Sequence, residues 1–140
     1  NWTEGTISNT KRDWQSVCYG NGKYVTVVYG DNYCAYSTDG INWTEGSLPN
    51  NYYSSYWTSI CYGNGMYVAV CADHTVGHNF YAYSTDAINW NYSNLGAFGG
   101  DQRKWQTICY GNGKFVTVED RCGYSACYQK YYPSNLNYID

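Results

Sequence analysis

A chain of 140 residues is one domain's worth of length, enough to bury on the order of 70% of its unfolded surface. Aromatic residues make up 20% of it, with Tyr 19 and Trp 6, charged residues make up 14%, and Leu is confined to Leu48, Leu95 and Leu136; this excludes both a helical protein and an ordinary disordered segment. A net charge of −3 with singly scattered Lys and Arg excludes nucleic acid as a partner, and no apolar run reaches the ~18 residues of a membrane span.

The chain opens with Asn1 rather than Met, and the expectation is a mature, processed product. Cys 7, with a polar remainder of Asn, Ser, Thr, Tyr and Gly, points to an extracellular, cell-surface or virion location where disulfides can form. An odd count leaves at least one thiol over or paired between chains.

Three stretches repeat: Trp14 to Val27 (WQSVCYGNGKYVTV), Trp57 to Val70 (WTSICYGNGMYVAV) and Trp105 to Val118 (WQTICYGNGKFVTV). Cys18, Cys61 and Cys109 are equivalent, 43 and then 48 residues apart. In the first unit, Trp14 to Tyr19 reads as a strand and Gly20-Asn21-Gly22 as a hairpin turn needing positive φ. Lys23 to Val28 is the second strand, Tyr33 to Ser37 the third, and a short fourth lies near Trp43 to Ser47. Val25 and Val27 on one face and Tyr24 on the other suit a sheet covered on both sides. Four antiparallel strands per ~40–50 residues is the spacing of a propeller blade. The expected fold is therefore all-β: one domain over 1–140, of three four-stranded blades (about 12–50, 55–97 and 103–140) with residues 1–8 as a blade-completing strand.

Ala35 to Trp43 (AYSTDGINW) recurs as Ala82 to Trp90 (AYSTDAINW), and the third unit diverges after Ala126. Within this block Ser37, Asp39 and Trp43, and again Ser84, Asp86 and Trp90, have the logic of a structural turn. The Ser and Asp side chains hold turn amides, and the Trp folds beneath as a plug. The segment resembles the Asp-box of sialidase-like propellers, with Asn42 and Asn89 where that family has Thr and Ala87 in a Gly position. As a whole the repeats resemble those of bacterial surface proteins and phage tail or fibre proteins. The resemblance implies a fold and no particular activity.

Asn1 to Gly5 reads NWTEG, as does Asn42 to Gly46 in the fourth-strand region of the first unit. Asn1, Trp2, Thr3, Glu4 and Gly5 are thus expected to complete the last blade, within the chain or from a neighbouring subunit. Single-ring propellers have about four to eight blades, so three blades imply a partner. Two chains closing a six-bladed ring, chains adding head to tail, and an open stack all remain compatible with the sequence.

A sialidase-like site needs an arginine cluster, a Tyr activated by a Glu and an acid Asp. Only Arg12, Arg103 and Arg121, and Glu4, Glu45 and Glu119, are present; Glu4 and Glu45 are repeat-equivalent, which reads as structural. The expectation is no enzyme and no cofactor. Asp73, His74 and His78 share a loop and read as solvated polar residues rather than metal ligands. The loops between second and third strands share an edge with the entries to the first strands, which gathers Arg12, Trp14, Asp31, Asn32, Trp57, Asp73, His74, His78, Arg103, Trp105 and Arg121. Aromatic faces beside planar hydrogen-bonding groups suit a sugar, and capping of each blade's core is the competing role for the three Trp. Cys122 and Cys127 flank a short turn as a candidate disulfide; Cys34 and Cys71 pair with each other or between subunits; Cys18, Cys61 and Cys109 read as small buried hydrophobes. The three Asn-x-Ser/Thr sequons, at Asn1, Asn42 and Asn91, read as coincidental.

The functional expectation is a non-enzymatic extracellular assembly module, a filament, fibre or surface subunit built by strand exchange. A glycan-binding lectin, adhesin or phage receptor-binding module is the alternative, and a glycosidase ranks last.

Overall fold

Each repeat turns on two residues that stand in left-handed backbone, Asn21 (φ 46°) with Gly22 (φ 76°), Asn64 with Gly65, and Asn112 with Gly113. Two consecutive positive φ values match the right-handed twist of the strands they join, so each turn fixes the register of its hairpin. A computed structural model describes residues 1–49, 56–72, 80–96, 104–120 and 123–128.

The first sheet comprises β1 (Trp14–Gly20), β2 (Lys23–Val28), β3 (Tyr33–Ser37) and β4 (Thr44–Ser47), in that order and antiparallel throughout. The second repeats it with β5 (Trp57–Gly63), β6 (Met66–Cys71), β7 (Phe80–Ser84) and β8 (Asn91–Asn94). The third has β9 (Trp105–Gly111), β10 (Lys114–Glu119) and β11 (Ser125–Tyr128), three strands among the described residues. This is the expected all-β, propeller-like arrangement of blades.

The inner strands lie side by side, β1 along β5 and β5 along β9. Alternation along β5 then gives each of its faces a different neighbour. Ile60 and Tyr62 belong to the core between the first and second sheets, which includes Val25, Val27, Leu48, Tyr67 and Ala87. Cys61 belongs to the core between the second and third, with Val68, Val70, Ile108 and Phe115. Backbone bridges join the sheets at the loop edge, Tyr29 to Tyr56 and Ala72 to Lys104.

The Ser-Asp turns have the same bonding twice over. Asp39 Oδ1 accepts the amides of Ile41 (2.9 Å) and Asn42 (2.8 Å), and Ser37 Oγ accepts that of Gly40 (2.9 Å) while donating to Asp39 Oδ1. Asp86 Oδ1 accepts those of Ile88 and Asn89, and Ser84 Oγ that of Ala87. Trp43 Nε1 and Trp90 Nε1 donate to the carbonyls of Gly40 and Ala87. Ala87 keeps the left-handed conformation of its counterpart Gly40 (φ 67° against 75°) and is fully buried in the first core. Its methyl group adds packing there at some backbone cost.

Residues 1–5 form no strand and are exposed, Trp2 completely so. Thr6 forms a parallel bridge to Asn42 of the first sheet, so within the chain this segment lies beside the first Ser-Asp turn and not at the outer edge of the third sheet.

Candidate functional site

The lead-in to β1 is held by Arg12. Its guanidinium lies 3.4 Å from the centroid of the Tyr33 ring, with Nη1 donating to Asp31 Oδ2 at 3.2 Å and Nε to Glu45 Oε1 at 3.3 Å. Glu45 is held below its ordinary pKa first by the side-chain hydrogen bond of Ser8 and then by Arg12. With two carboxylates and an aromatic face as partners, the Arg12 guanidinium fastens the lead-in to β1 onto β3 and β4, while the Asp31 side chain keeps about half its surface exposed. Asn32 lies beside them, its amide donating to Asp31 Oδ1 and its carbonyl accepting the amide of Leu48.

The three repeat-equivalent Trp do not form a platform. Trp57 and Trp105 are fully buried, one in each core, and only Trp14 is half-exposed. That corrects the expectation of a shared aromatic binding face. A first-strand Trp is buried by the sheet that precedes it, and Trp14 has none before it. Asp73, His74, His78, Arg103 and Arg121 lie outside the described residues, as does Cys122 of the candidate disulfide with Cys127.

Cys34 and Cys71 are both buried in the first core without a bond to each other, and Cys71 Sγ donates to Phe80 O. Burial pushes the thiols of Cys18, Cys34 and Cys61 up to about 12. Of the three cysteines expected to be buried, Cys18 and Cys61 are half-buried and Cys109 is exposed, because no described sheet covers the far side of β9.

That far side is one of two open faces. Where Gly20 would carry a Cβ, the Tyr62 ring lies within 2.0–2.6 Å, and at Gly63 the Tyr110 ring lies within 2.0–2.4 Å. At Gly111 no described residue lies within 4 Å. Tyr19, the first tyrosine of the series, is 59% exposed and covers no glycine among the described residues. Ile60 N donates to Ser16 Oγ and Ile108 N to Ser59 Oγ, while the third acceptor position, Thr107, is exposed. The Tyr67 hydroxyl donates to Gly20 O. Its equivalent Tyr24 is 37% exposed.

One face therefore carries Trp14, Val17, Tyr19 and Tyr24, and the other Thr107, Cys109, Gly111 and Val118. Gly20 was expected to be one of the turn residues needing positive φ, and that is corrected: only Asn21 and Gly22 adopt it, and Gly20 ends the strand before them, as Gly63 and Gly111 do. The signal was present: each precedes an Asn-Gly pair that already supplies both turn positions, and none has positive φ, so each glycine answers to something outside its own hairpin.

A cleft of about 370 Å³ separates the second sheet from the third, lined by Met66, Val68, Tyr81, Leu95, Phe115 and Tyr128 among others. In the first interface Ala87 and Trp90 pack from the Ser-Asp turn. The third repeat has no such turn in its sequence.

The described residues include no helix long and apolar enough to cross a membrane. No family model and no curated protein matches the chain. Among solved structures it is similar to Bacteroides ovatus Xyloglucan PUL GH43B, with a TM-score of 0.58 and 17% identity over 81% of this chain, which spans 26% of that one. Two computationally designed proteins are also similar: Ika4, with a TM-score of 0.43, 8% identity and coverage of 92% of this chain and 98% of that one, and Ika8, with 0.41, 10%, 88% and 48%. At such identities the first likeness shows the fold alone, and the fold it shows is a β-propeller.

Proposed function

We propose that the chain is a non-enzymatic extracellular assembly module whose subunits join by exchange of their N-terminal segments. One observation carries this reading. In the first two sheets the third strand pairs with a fourth, whereas β11 pairs only with β10 among the described residues. Meanwhile Asn1 to Gly5 repeats the residues that lead into and form β4, and stands exposed. An edge with no partner among the described residues, and an exposed segment whose residues match a fourth strand, are the two halves of strand addition.

The test is the mass in solution of the full chain and of a variant lacking residues 1–5, which leaves the contacts of Thr6, Ser8 and Arg12 in place. The full chain is expected to be oligomeric by light scattering and negative-stain microscopy, and the shortened chain monomeric. Equal assembly of the two overturns strand exchange.

A further inference from the structure

Two joints between consecutive repeats are built alike, and each is one-sided. The earlier repeat contributes a glycine, a serine hydroxyl and two valines: Gly20, Ser16, Val25 and Val27 at the first joint, and Gly63, Ser59, Val68 and Val70 at the second. The later repeat contributes a tyrosine ring over the glycine and an isoleucine amide on the hydroxyl, Tyr62 with Ile60 and then Tyr110 with Ile108. At the first joint the later repeat adds a phenol to the glycine's carbonyl through Tyr67. At both joints the isoleucine and the valines are buried: Ile60 is 4% and Ile108 8% exposed, and Val27 and Val70 are both at 0%.

The chain's two ends hold one half of such a joint each. Val17 stands where Ile60 and Ile108 stand and is 59% exposed; Val118 stands where Val27 and Val70 stand and is 41% exposed. Each end exposes what the other lacks.

We propose that the first sheet of one copy packs on the third sheet of a second copy, head to tail, reproducing between chains the joint made twice within each. Tyr19 then covers Gly111 of the second copy, the Val17 amide meets its Thr107 hydroxyl, and the Tyr24 hydroxyl meets its Gly111 carbonyl. This deepens the assembly reading and rests on it, because it names the surface that adjoins the exchanged strand. The contact is heterologous: two different surfaces meet, so closure of the ring or growth of a filament follows from the angle per copy. The bridge positions at the loop edge bring Asp120 near Asp13, so the measurement is made near physiological salt, where exposed like charges are screened.

Two variants block opposite ends. Gly111→Val fills an exposed position that no described residue approaches within 4 Å and whose backbone is ordinary, so the fold is expected to be unaffected. Tyr19→Lys alters a ring that is already exposed. Each variant alone is expected to weaken assembly by about 30-fold or more, as for loss of an interface hot spot. Mixed in equal amounts, they are expected to form a one-to-one dimer, since each retains the end the other lost. The Cys109 thiol gives a second reading: slow to label in assembled wild type, fast in Gly111→Val.

Assembly of either variant at wild-type strength overturns the proposal, as does failure of the mixture to pair. If the variants assemble and the chain lacking residues 1–5 does not, the end faces are refuted and strand exchange stands. If that shortened chain assembles and the variants do not, strand exchange is refuted and the end faces stand. A wild-type chain that is monomeric refutes both.

Discussion

The ring of Tyr62 occupies the space in which Gly20 would carry a side chain, and this contact fixes how far apart the first two sheets sit. A methyl group at Gly20 would have to push an aromatic ring aside within a core that includes Tyr62 and Tyr67. Overpacking of this kind costs about 3 kcal/mol at the upper end of its usual range. Gly20→Ala and Gly63→Ala are each expected to lower Tm by roughly 10 °C in a chain of this size. In the Tyr19→Lys background, where no second copy covers Gly111, Gly111→Ala should leave Tm within about 1 °C, so calorimetry separates a filled position from an open one.

Tyr67 and Phe115 occupy equivalent positions in the second and third repeats, and only Tyr67 has the hydroxyl that reaches the preceding glycine's carbonyl. Tyr67→Phe removes that donor and leaves a buried acceptor, a loss of about 1–2 kcal/mol by urea denaturation. Burial raises the Tyr67 phenol to about 12 from its ordinary value of 10. A raised folded-state value stabilises below pH 10 and is lost as the pH climbs toward 12, so wild type should weaken across that window more than Tyr67→Phe does.

Asp39 and Asp86 are held well below the ordinary carboxylate range, first by the side-chain amides of Asn42 and Asn89 and then by backbone amides of the same turns. A depressed folded-state value stabilises above the unfolded value near 3.8 and is lost as the pH falls below it. Acid unfolding should therefore begin below about pH 4. Asp39→Asn is expected to lower Tm at pH 7 and to flatten the fall in Tm between pH 5 and pH 3. An unchanged acid limb in that variant would show that the turn carboxylates are not its cause.

In reduced protein at pH 8, the thiols of Cys18, Cys34 and Cys61, raised to about 12 by burial, hold almost no thiolate. The buried Cys34 should react with a disulfide reagent only at the rate of unfolding, and the half-buried Cys18 and Cys61 far more slowly than an exposed thiol. The exposed Cys127 is expected to react within seconds and serves as the internal reference.

The elements whose signals are local were legible from residues alone. The bounds Lys23–Val28 and Tyr33–Ser37 follow from strand-forming runs stopped by an Asn-Gly turn on one side and a Ser-Asp turn on the other. The contents of a joint are different in kind, because a repeat states which positions are equivalent and not what lies across from them. Trp57 and Trp105 read as rings at a loop edge until the sheet before each is in place, and they then prove to be core. Cys109 errs the other way: equivalence to Cys18 and Cys61 implies burial, and exposure follows from being last in line. Residues 1–5 could be matched to a fourth strand by their letters, yet the bridge from Thr6 to Asn42 depends on where the chain is led by Arg12.

The Ser-Asp turn closes with side chains drawn from its own few residues. A unit built this way needs no neighbour to shape its loops, and its two surfaces fit one another, so tandem duplication of its coding sequence adds a working unit without further change. Lengthening such a protein is then a matter of copying a unit while each joint stays the same.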